Sequence, residues 1–149
     1  MKTLMLYLTA MLLSFHSFAG QLSVTNLKIR EFIPAASSSV AYFTLSNQSE
    51  VAKTLVEVNI SGVGRTELHQ HSHVDGLMRM EQVKQVVVPA KEAVVFQPGG
   101  LHLMLFEPKS LPVAGEMTDV TFKFSDGEQI TVSGPVISLL HQQHNHSHH

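Results

Sequence analysis

The sequence contains no cysteine and no tryptophan. Without thiols there is no disulfide framework, no thiol redox motif and no Cys-ligated zinc finger. A blue-copper centre is excluded as well, because it needs a Cys thiolate. Charge is scarce: 15% of the 149 residues are Asp, Glu, Lys or Arg, and the formal charge is −2. That balance excludes a general phosphate-binding face, so nucleic acid is not an expected partner. The chain has no G-x-S-x-G, no H-E-x-x-H and no paired acids around its histidines, so hydrolase chemistry is not indicated. The expected class is a binding module rather than an enzyme.

What is present is apolar material and histidine. Apolar residues make up 44% of the chain, enough for one core in one domain. Ten residues are His, and five of these fall in the last nine positions.

Residues 1–19 read as a secretory signal peptide. Met1-Lys2-Thr3 is a short positive start, Leu4 to Leu13 is apolar apart from Thr9, and Ser17-Phe18-Ala19 is a small-x-small cleavage site. The alternative is an uncleaved anchor, but the apolar run is short of the roughly 20 residues that a spanning helix needs. The expected location is the periplasm, with no membrane association after cleavage. An exported chain without cysteine must be held together by core packing.

Residues 20–138 read as one all-β domain. Alternation and β-branched residues predict strands near Leu22–Ile29, Val40–Ser46, Thr54–Ile60, Thr66–His71 and Leu77–Val83. More are predicted near Ala93–Gln97, Leu101–Phe106, Thr118–Phe124 and Gln129–Ser133. Asp75-Gly76 and Asp126-Gly127 are hairpin signals, and Pro98-Gly99-Gly100 is a turn before a strand. Eight or nine short strands predict a β-sandwich or small β-barrel.

Two segments carry chemistry. In Leu101-His102-Leu103-Met104-Leu105 the leucines take one strand face, and His102 and Met104 share the other. In Glu67-Leu68-His69-Gln70-His71 the inward Leu68 turns Glu67, His69 and His71 outward. Beyond the Asp75-Gly76 turn, Met78 and Met80 share a face and Arg79 takes the other. Closing this hairpin brings the His69 strand beside the Met80 strand. A surface histidine and ordinary methionine packing remain alternatives for each piece alone. Imidazole with thioether suits neither magnesium nor calcium, and zinc rarely takes thioether; Cu(I) accepts it well.

The spacing His69-x10-Met80-x21-His102-x-Met104 resembles the H-x10-M-x21-H-x-M signature of the periplasmic copper chaperones of the PCuAC family. Asp75-Gly76-Leu77-Met78-Arg79-Met80, Pro98-Gly99-Gly100-Leu101-His102 and Ala41-Tyr42-Phe43-Thr44-Leu45 are similar to that family too. The resemblance covers roughly Gln21 to Pro135. It implies a cupredoxin-like Greek-key fold and a Cu(I) site of His69, Met80, His102 and Met104. It also implies a copper carrier, in many members serving the CuA centre of cytochrome c oxidase, sometimes with a Sco-type partner; a monomer is expected.

Residues 139–149 read as a His-rich flexible tail. His141, His144, His146, His148 and His149, with His71, His73 and Met78, are candidates for a second site taking Cu(II) or Zn(II). A purification tag or a solvated tail with only adventitious affinity are the competing readings. A copper or zinc buffer that sequesters metal for tolerance is the alternative to a carrier.

Overall fold

A computed structural model describes residues 21–110 and 113–138. The proposed signal peptide and the His-rich tail lie outside the described residues. Ten strands follow one another: β1 Leu22–Arg30, β2 Ser38–Asn47, β3 Lys53–Ile60, β4 Val63–Val74, β5 Leu77–Gln82, β6 Val86–Val88, β7 Ala93–Phe96, β8 Leu101–Pro108, β9 Met117–Phe124 and β10 Gln129–Ile137. No helix occurs among the described residues. The all-β expectation holds, with one strand more than the sequence suggested. The addition is β6, whose three valines are too short a run to show a period.

The strands form one open sheet in the order β5-β4-β8-β7-β2-β1-β10-β9-β3-β6, with β8 also pairing with β2. The parallel contact of β1 with β10, Ile29 opposite Val136, links the two halves. These halves fold over one another around a single core. Phe43 of β2 stacks on Phe96 of β7, ring centroids 4.1 Å apart. It also meets Phe122 of β9 edge-on at 4.9 Å. The period of two sets this up: Ala41, Phe43 and Leu45 point inward from β2, as Val120, Phe122 and Phe124 do from β9. In β3 the alternation slips, because a bulge between Leu55 and Glu57 lets both Leu55 and Val58 face the core.

Asn47 closes one end of this core. Its buried side-chain amide donates to the carbonyls of Val51, Val88 and Pro89 at 2.8, 3.1 and 3.1 Å. Its oxygen accepts from the Ser49 backbone N–H and hydroxyl. The end of β2 is thereby tied to β6. Asn47→Ala is expected to cost about 2–3 kcal/mol, because it strands buried acceptors that water cannot reach. Urea unfolding followed by far-UV circular dichroism checks this. A loss below about 0.5 kcal/mol would show that the carbonyls find other donors.

Candidate metal centre

The β4–β5 hairpin turns on Asp75 and Gly76, both at positive φ (53° and 74°). This is the conformation that makes Asp-Gly a tight two-residue hairpin loop. It pairs Val74 with Leu77 and so fixes every later pair: His73 opposite Met78, His71 opposite Met80, and His69 opposite Gln82. On its other side β4 pairs with β8, placing His69 opposite His102 and Glu67 opposite Met104. Leu68 and Leu103, one residue out of phase, go into the core. All four signature residues therefore lie on the outer face of three adjacent strands.

His102 is the centre of the group and is only 4% exposed. Its Nδ1 lies 3.0 Å from the Gly100 carbonyl. A carbonyl can only accept, so Nδ1 carries the proton and Nε2 keeps a free lone pair. That Nε2 stands 3.1 Å from the Met80 sulfur. The His102 ring is 4.9 Å from the His71 ring and 5.8 Å from that of His69. Burial is the main cause holding the His102 imidazole below its usual pKa; the Gly100 carbonyl opposes it, and the neighbouring His71 and His69 add to it. The ring is thus kept neutral and ready to donate its lone pair.

His69 is oriented by Glu67, whose carboxylate lies 2.9 Å from Nε2. Arg65 also holds that carboxylate. Burial lowers the His69 pKa even so, and the contact is that of a neutral ring N–H donating to a carboxylate. Nδ1 is then the basic nitrogen, and it is buried without a hydrogen-bond partner, as is Nδ1 of His71. Unpartnered buried nitrogens are costly. A nitrogen left in this state has a lone pair free for a metal ion wherever it is the deprotonated one.

A cavity of about 350 Å³ opens beside these groups. His71, Met80, His102 and Met104 are among its lining residues, together with Arg30 and Tyr42. His69 is not among its lining residues. Met104, half-buried, faces Val40 of β2 as well as Glu67. Met78 and His73 are exposed at the hairpin tip, outside the cavity. The tail histidines lie outside the described residues. Among the described residues no three His, Asp or Glu side chains gather closely enough to hold a metal unaided. Gly100 as the group that fixes His102 was missed in the sequence, although it stands inside the Gly99-Gly100-Leu101-His102 motif. Arg30 of β1 gave no local signal, and Tyr42 of β2 stood out only within the Ala41–Leu45 segment, with no role at the site assigned to it.

The family model described as "Putative lipoprotein LpqE-like" matches residues 22–136. An uncharacterized protein of Rickettsia prowazekii (strain Madrid E) is 34% identical over 98 residues, 65% of this chain and 54% of that protein. A "putative lipoprotein" of Leifsonia xyli subsp. xyli is 29% identical over 110 residues, 72% of this chain and 66% of that one. The chain thus spans between about half and two thirds of these relatives' lengths. Among solved structures, the Cu(I) form of DR1885 from Deinococcus radiodurans is 27% identical with a TM-score of 0.62, covering 78% of this chain and 76% of that one. The copper-bound PCuAC domain from PmoF2 has a TM-score of 0.66 at 16% identity, covering 80% and 94%. At that identity the second likeness is one of fold.

Proposed function

The chain belongs to the LpqE-like family and has the fold of PCuAC domains, and from that premise we propose that it is an exported carrier of Cu(I). One observation supports this most: neutral imidazole nitrogens and methionine sulfurs share one sheet face, with Met80 Sδ 3.1 Å from His102 Nε2. The proposed ligands are His69, Met80, His102 and Met104. Thioethers are soft donors that favour Cu(I) over magnesium, calcium or zinc. They also survive an oxidising compartment in which a thiol carrier would form disulfides. None of the four ligands needs to lose a proton, so binding and release carry little pH cost. A carrier must also give up its cargo. Met80 is 52% exposed, so an acceptor's ligand can approach the ion from the solvent side.

In this reading the acceptor is a copper site such as the CuA centre of cytochrome c oxidase, reached directly or through a Sco-type protein. The His-rich tail is a second site for Cu(II) or Zn(II) that concentrates metal near the first. The density of tail imidazoles also suits a second reading, in which the protein buffers copper or zinc by sequestration.

Anaerobic Cu(I) titration against a chromophoric chelator tests the proposal, run on the full chain and on a chain ending at Leu140. One tight Cu(I) equivalent is expected in both, with Cu(II) binding lost on truncation. Tight Cu(I) binding that vanishes with the tail would overturn the carrier site and leave a His-rich buffer. Loaded protein mixed with an apo CuA domain then separates the roles: transfer indicates delivery, and retention indicates sequestration.

A further inference from the structure

The hairpin holds more soft donors than the four-residue signature uses. On the signature face of β4 and β5, two His/Met pairs stand directly opposite one another: His71 with Met80, and His73 with Met78. Directly opposed residues of an antiparallel pair have Cβ atoms about 4.5–5.5 Å apart, and successive pairs on one face are about 7 Å apart along the strands. An imidazole and a thioether at the first distance can grip one soft ion between them. The second distance is a single short step.

Exposure falls in order along this line. His73 and Met78 are exposed, Met78 by 60%. His71 is half-buried, with its Nδ1 unpartnered. His102, next inward, is almost fully buried and lies 4.9 Å from the His71 ring. The opposite face of the hairpin, with Ser72 against Arg79, carries no such donors. Every residue of β5 is exposed, so packing does not account for methionine at both positions on this face.

We propose that His73 with Met78, then His71 with Met80, form a two-step ladder along which Cu(I) moves between the exposed hairpin tip and the buried His102. The inference rests on the Cu(I) reading above and adds a path to its site. The ion exchanges one imidazole–thioether pair for the next, with no change in oxidation state and no proton released. The tip pair is an intermediate station. It lowers the barrier in both directions and leaves the final equilibrium unchanged.

The test therefore separates rate from affinity. The full chain carrying His73→Ala and Met78→Leu is loaded with one equivalent of Cu(I), and transfer to a chromophoric Cu(I) chelator is followed by stopped flow. Transfer is expected to slow by at least about tenfold, the scale on which lost metal-site groups act. The equilibrium affinity should stay well short of the roughly 10–100-fold loss that follows when a metal site's own supporting groups are removed. Arg79→Ala, on the other face of the same strand, should change neither quantity. Unchanged transfer in the double variant would overturn the ladder while the inner site stands. Equal slowing by Arg79→Ala would overturn it too, since the hairpin would then act by shape or charge. Loss of affinity in step with rate would merge the tip into the inner site and remove the separate station. Failure of the unaltered chain to bind Cu(I) would instead bring down the carrier reading, and the ladder with it.

Discussion

Replacing both Met80 and Met104 by alanine is expected to lower Cu(I) affinity by at least about a hundredfold, since even groups behind the ligands cost 10–100-fold in metal affinity. That is about 2.8 kcal/mol of binding free energy. The fold should survive. Met80 sits on a strand exposed along its whole length, and Met104 is half-buried on the face away from Leu103 and Leu105. Far-UV circular dichroism and the urea midpoint would confirm that the variant is native. The loss should also be selective, because thioethers distinguish a soft ion from a borderline one while imidazole binds both. Zn(II) affinity should therefore fall much less than Cu(I) affinity, and chelator competition with each metal reads the difference. Unaltered Cu(I) affinity would mean that the methionines only cover the sheet and that the spacing of the four residues is coincidental.

That arrangement was partly legible in the sequence, for reasons that differ between residues. Alternation alone separates His102 and Met104 from Leu101, Leu103 and Leu105. An Asp-Gly loop of two residues fixes the hairpin register, so the pairing of His71 with Met80 follows from local chemistry. The contact of β4 with β8 is another matter. Nothing near His69 states that it will lie opposite His102, thirty-three residues later; that pairing comes from burying Leu68 and Leu103 together against the core. The cavity wall formed by Arg30 and Tyr42 depends on β2 pairing with β8 and is equally non-local. Asn47 illustrates a different failure. Its sequence context, Asn47 to Glu50, has loop composition, yet its amide is a buried hub. Polar residues that serve distant carbonyls give no periodic signal. The short strand Val86–Val88 is invisible for a simpler reason: three residues hold one and a half periods.

Phe43→Ala is expected to destabilise the domain by about 3–5 kcal/mol, the usual range for removing a buried phenylalanine ring. The ring is fully buried. It touches Phe96 on its own half of the sheet and Phe122 on the other, so its loss leaves a cavity where the two halves meet. Strands pinned on both sides by backbone pairing can collapse only partly into that space. The effect is large against the roughly 5–15 kcal/mol that holds typical domains folded. With no cysteine in the chain there is no crosslink to limit the damage. The measurement is equilibrium urea unfolding by far-UV circular dichroism, with Val95→Ala as a control. Val95 lies on β7 but is 47% exposed, and its truncation should cost below about 0.5 kcal/mol. A cost near 1 kcal/mol for Phe43→Ala would mean that the halves do not share one core. The proposed copper face would then ride on a sheet able to flex at its middle. A full cost would mean that the Ala41–Leu103 and Val40–Met104 pairs beside Phe43 belong to the rigid platform that a soft-metal site of four separate side chains requires.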